Sequence, residues 1–112
     1  MKKECRAYAQ RVVEEIEAIY NGTTEEVNDD GERMSLYDHV ADALEFTAVV
    51  SSQKTIQAIR LYVTLVGPTC YVYTELHAVV CAWGGDRAEY ALDWDVCDEL
   101  ENIIAEYMEI ER

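Results

Sequence analysis

Thr55 to Val66 reads TIQAIRLYVTLV, and within it Ile59, Leu61, Val63 and Leu65 alternate with Arg60, Tyr62 and Thr64. A period of two sends successive side chains to opposite faces of an extended backbone, so the stretch predicts a long, half-buried β-strand. Downstream, Gly67-Pro68-Thr69 predicts a turn, because proline cannot donate to a ladder and glycine reaches unusual backbone angles. Three further strands are expected, from Cys70 to Thr74, from His77 to Trp83 and from Arg87 to Leu92. They are joined by a short turn at Glu75-Leu76 and by the Gly84-Gly85-Asp86 turn. Such close spacing predicts an antiparallel four-stranded meander.

On either side of the strands the apolar period lengthens to that of a helix. Cys5, Tyr8, Ala9, Val12, Val13, Ile16, Ile19 and Tyr20 recur at i, i+3 and i+4 over residues 4 to 20, and Asn21-Gly22 supplies a stop. Thr23 to Arg33 is polar and acidic and reads as a loop. Ser35 with Asp38 resembles a capping box, and Leu36, Tyr37, Val40, Ala41, Leu44 and Ala48 extend a second helix from Leu36 to Thr47. Asp95 with Asp98 opens a last helix whose apolar face is Val96, Leu100, Ile103, Ile104, Tyr107 and Met108. The order helix, helix, four strands, helix predicts an α+β fold in one domain spanning residues 1–112, with the helices on one face of the sheet.

The chain of 112 residues has a net charge of −14, unevenly distributed. Residues 1–20 and 51–92 each sum to zero, while residues 21–50 and 93–112 each hold eight acids against one arginine. A field of that sign repels nucleic acid and anionic membranes and attracts basic surfaces, so direct nucleic-acid binding is not expected. There is no apolar run long enough to span a membrane. The start MKKECRAYAQRVVEEIE lacks the unbroken apolar stretch of a signal peptide, so a soluble, cytoplasmic protein is expected. Cys5, Cys70, Cys81 and Cys97 form no CxxC pair and have no histidine at ligand spacing, which predicts four free buried thiols and no metal or other cofactor.

Catalytic signatures are missing. GxSxG, P-loop and HExxH do not occur, and His39 and His77 have no nucleophile at a recognisable spacing. The chain is therefore read as a binding protein and not an enzyme.

Two features suit binding. Asp38, Asp42 and Glu45 fall at i, i+4 and i+7 of the expected second helix, and Asp95, Glu99, Glu106 and Glu109 repeat the pattern on the last. Rows of carboxylates about 6 Å apart can imitate the charges of a nucleic-acid strand, although such rows also occur on ordinary solvated helix faces. The second feature is the outer face of the sheet. With Ile59, Leu61 and Val63 inward, Arg60 and Tyr62 point outward together with Tyr71, Tyr73 and Arg87. Tyrosine and arginine are enriched in interfaces, although strands favour tyrosine in any case.

Val66 to Leu92, VGPTCYVYTELHAVVCAWGGDRAEYAL, resembles a pattern in small accessory proteins of phages and other mobile elements of gut bacteria. There a G-G-P-N-x-Y-V-D-T hairpin leads to a strand ending in W-G-x-D. Gly67, Pro68, Tyr71, Val72, Thr74, Trp83, Gly84 and Asp86 match, whereas Val66, Thr69 and Tyr73 depart. The resemblance implies a setting that includes anti-CRISPR and anti-restriction inhibitors. The expectation that follows is a non-enzymatic inhibitor of a basic CRISPR-associated or restriction nuclease such as Cas9. Its contacts would be the seven acids of the two rows, with Tyr62, Tyr71 and Tyr73 as anchors. The alternative is a scaffold that self-associates, as a dimer, through its tyrosine-rich sheet face.

Overall fold

The structure, a computed structural model, describes residues 2–43, 45–64 and 69–112. Among these residues the chain forms three α-helices and one five-stranded antiparallel sheet. The elements are α1 (Lys2–Asn21), α2 (Leu36–Asp42), β1 (Glu45–Val50), β2 (Ile56–Thr64), β3 (Thr69–Tyr73), β4 (Ala78–Trp83), β5 (Asp86–Ala91) and α3 (Trp94–Met108). A single 3-10 turn, Thr74–Leu76, separates β3 from β4. The sheet runs in chain order from β1 to β5, as a meander.

The α+β class and the helical and strand periods follow the sequence, but one boundary does not. The expected second helix ends at Asp42, and Glu45–Val50 pairs with β2 as a fifth strand. Ala43 already has extended angles (φ −65°, ψ 152°). Beyond it, Phe46 and Ala48 are half-buried between exposed Glu45, Thr47 and Val49, a strand alternation rich in residues that fit a pleated surface. The i, i+4 spacing of Leu44 and Ala48 mimicked a continuing helix over a run that also has period two. The expected turn at Gly67-Pro68 and the strand end at Leu65-Val66 lie outside the described residues.

The core lies between the helices and one face of the sheet. α1 contributes Ala9, Val13, Ile16 and Ile19, packing over β4 and β5. α3 contributes Val96, Leu100 and Ile104, packing on β2. Ile59 and Leu61 meet them from the sheet, each at most 1 % exposed, and each such side chain contributes about 1.5–3 kcal/mol through burial. Tyr20, expected on the inner face of α1, is instead exposed.

Two polar details lock the sheet. The Thr74 hydroxyl accepts from the Ile59 N–H at 2.8 Å and donates to the Ile59 carbonyl, so a side chain continues the β2–β3 ladder where the backbone turns away. Trp83 pairs with Asp86 around Gly84 (φ 59°) and Gly85 (φ 88°), the double positive φ of a two-residue hairpin.

The cysteine expectation is corrected. Cys70 and Cys81 form a disulfide, with Cα atoms 4.2 Å apart, while Cys5 and Cys97 are free and buried. Scattered in sequence, Cys70 and Cys81 are brought opposite one another by the β3–β4 register, which their spacing alone does not reveal.

Candidate functional site: an acidic end and a tyrosine face

The polar segment after α1 is organised by Asn28. Its side-chain oxygen accepts from the backbone N–H groups of Asp30 and Glu32, and Val27 bridges to Arg33, making a small closed turn. Asn28 Nδ2 also donates to the Asp38 carboxylate, which accepts from the Ser35 N–H at 3.0 Å, while the Ser35 hydroxyl accepts from the Asp38 N–H. These bonds complete the capping box of α2 and hold the Asp38 carboxyl below its ordinary pKa, the Ser35 backbone being the largest cause. Asp38 thus caps α2.

The row of Asp38, Asp42 and Glu45 does not exist as a helical stripe. Asp38 and Asp42 line a cleft of about 240 Å³ with Asn28, Asp29 and Asp30. Glu45, on β1, lines a different cleft of about 300 Å³, shared with Tyr37, Val40, Phe46, Ile103 and Tyr107. The second row fares better. Asp95, Glu99 and Glu106 are exposed along α3. Glu109 is the C-cap in a left-handed conformation (φ 57°), which ends the row. The helix starts one residue earlier than Asp95, capped by the side chain of Asp93, which accepts from the Asp95 N–H.

The fold also joins the two acidic blocks. α2 packs against α3, and Ser35 and Leu36 share a surface groove with Glu99 and the end of α1. The two acidic blocks thereby meet where α2 packs on α3, at an acidic end of the fold. Among the described residues the ion pairs are Arg87–Glu89 and Arg112 with Asp98 and Glu101, so none of the seven predicted acids is paired with a cation.

Among the described residues the opposite face of the sheet carries no helix, and it groups its aromatics as the alternation predicts. Tyr62 and Tyr71 lie 5.2 Å apart between ring centroids, Tyr73 is 6.4 Å beyond, and the Arg60 guanidinium lies 4.4 Å from the Tyr73 ring centre. Tyr71 and Tyr73 stand opposite Val80 and Ala78, both of them small and buried on this outer face. The Tyr73 hydroxyl donates to Glu75, and Arg87 pairs with Glu89.

Other titratable groups have shifted pKa values. Burial lowers the pKa of His39, against the opposing pull of Glu26 and Asp42, and its Nε2 is buried with no hydrogen-bond partner. Glu15 is raised by burial and by the Glu26 carboxyl beside it. The Cys97 thiol is pushed up to about 12, first by burial and then by Glu101, Asp98 and Asp93, which leaves it unreactive at neutral pH. His77 stacks on Trp94 with centroids 3.7 Å apart. Among the described residues no group of three or more His, Cys, Asp or Glu side chains could hold a metal ion, and no helix is long and apolar enough to cross a membrane.

The sequence reading missed the cleft beside β1, because it assigned Glu45 and Phe46 to a helix. The alternation of EFTAVV was the available signal. No protein-family model, curated protein or solved structure matches the chain.

Proposed function

We propose that this protein is a non-enzymatic binding module whose acidic end docks on a basic, nucleic-acid-handling protein and competes with the nucleic acid that this partner holds. The observation that carries the reading is the meeting of two sequence-distant acidic blocks where α2 packs on α3, with Asp95, Glu99 and Glu106 exposed and free of ion pairs among the described residues. Desolvating an unpaired carboxylate is unfavourable unless a partner supplies a cation, so such a surface selects basic grooves. The hairpin resemblance suggests a host-defence nuclease, such as a CRISPR-associated or restriction enzyme. Competition binding tests this directly. The protein should displace DNA from a basic nuclease, with affinity falling as salt rises. Glu14→Gln, Glu75→Gln and Glu89→Gln, in the electrically balanced regions, should change that affinity less than twofold.

A second reading, self-association, is favoured by the Tyr62–Tyr71–Tyr73 cluster on the uncovered sheet face. It requires a dimer in sedimentation at micromolar concentration that Tyr62→Ala with Tyr73→Ala dissociates. A wild-type monomer would dismiss it.

A further inference from the structure

The two edges of the sheet are protected unequally. β5 carries the charges Asp86, Arg87 and Glu89 and packs against α1. β1 carries only one charge, Glu45, has no proline, and leaves Val49 51 % exposed and Val50 40 % exposed. Beyond its pairing with β2, the remaining edge of β1 has no strand partner among the described residues. An edge of this kind is a template for another extended chain.

What lies beside that edge specifies the chain it would accept. A strand added to β1 sends alternate side chains to the two faces of the sheet. On the helix face they meet the 300 Å³ cleft, whose walls are mainly apolar: Val40, Phe46, Ile103 and Tyr107, with Tyr37 at 56 % exposure, and Glu45 also lines it. On the outer face they meet Glu45, Thr47 and Val49. The surrounding charge is acidic, with Asp42 ending α2 and Glu106 and Glu109 flanking Tyr107 on the last turn of α3. A second copy of the chain would bring a further net charge of −14 and set Glu45 and its neighbours against their own kind. A basic segment would relieve the same charges.

We infer that the β1 edge and its cleft bind an extended basic peptide segment of a partner by strand addition, with lysine or arginine on the Glu45 side alternating with aliphatic or aromatic residues that enter the cleft. The inference rests on the acidic-end reading and gives it a docking mode: main-chain bonds to β1, an anchor in the cleft, and charge for selection.

The probe is a short synthetic peptide in which lysine alternates with valine around a central phenylalanine, beside a peptide of the same composition with its lysines in one block. The alternating peptide should bind at least tenfold tighter. It should also slow hydrogen exchange of the β1 amides, which strand addition requires and electrostatic adhesion does not. Glu45→Lys with Val49→Lys, both at exposed positions, should lower affinity tenfold or more with unchanged circular dichroism. Tyr37→Ala, which alters only the cleft wall, should lower it several-fold, whereas Glu14→Gln with Glu75→Gln, in the electrically balanced regions, should change it less than threefold. Equal binding of the two peptides, or binding without protection of β1, overturns strand addition while leaving DNA competition by the acidic end as a separate result. Protection of β1 that grows with the concentration of the protein alone, together with a dimer mass, overturns the proposal in favour of a second copy.

Discussion

The acidic end and the tyrosine face resolve their polar groups in opposite ways. On the sheet face charge is settled internally: Arg87 pairs with Glu89, Arg60 lies over Tyr73, and Tyr73 donates to Glu75. At the acidic end, among the described residues, Arg112 alone forms ion pairs with its neighbours, and Asp95, Glu99 and Glu106 face solvent. A surface that has satisfied itself gains little from a charged partner; one that has not is left with an electrostatic gain for a partner to supply. The two regions also differ in what holds them. Behind the sheet face stand a disulfide and a buried hydroxyl, whereas the acidic end depends on exposed capping bonds around Asn28, Ser35 and Asp38.

That contrast sets the order of expected effects. Reducing Cys70–Cys81 should destabilise the whole fold by roughly 2–4 kcal/mol in denaturant titration, the loop it closes being short. Intact mass of the denatured protein should rise by two hydrogens on reduction, and an unchanged mass would remove the staple. Thr74→Val should cost about 1–3 kcal/mol, since it leaves the buried Ile59 N–H without its acceptor. Ser35→Ala should cost about 1 kcal/mol through loss of the α2 cap, and exchange should quicken in the Asn28 turn and α2 while the sheet stays protected. Equal quickening in both regions would erase the distinction.

Acid should separate the regions as well. His39 has a lowered folded pKa, so the unfolded chain takes up its proton first. The stability His39 contributes is fully present above about 6.5 and is lost as pH falls below that value through the folded pKa. Asp38 is also lowered, so its contribution persists above about 3.9 and is lost below. The acidic end should therefore loosen in two stages, visible as α2 and Asn28-turn amide signals that change before those of the sheet. His39→Phe should remove the first stage. Glu15 works in the other direction: its raised pKa makes its contribution complete at low pH and lost as pH rises through the folded value.

Much of this architecture was legible in the sequence because burial leaves a period. The alternation of Ile59, Leu61 and Val63 predicted both the strand and the outward grouping of Arg60 with the tyrosines. The charge sums predicted two acidic blocks, but a sum along the chain says nothing of convergence, which arises from α2 packing on α3. Glu45 was misplaced because EFTAVV is short enough for Ala48 to fit a helical repeat, and with it went the first carboxylate row. The capping role of Asp38 is legible in its spacing from Ser35, and the geometry bears it out. The Cys70–Cys81 pair was hidden because cross-strand register depends on where the 3-10 turn falls.

The central claim is that recognition belongs to the acidic end. Its most direct test is affinity for the tightest binder in a panel of basic nucleases, measured across a salt series. Wild type would be compared with Asp95→Asn/Glu99→Gln/Glu106→Gln and with Tyr62→Ala/Tyr73→Ala. The account predicts a loss of tenfold or more, about 1.4 kcal/mol, and a shallower salt dependence for the first variant, with less than twofold change for the second. Retained binding in the acidic variant with loss in the tyrosine variant would contradict it.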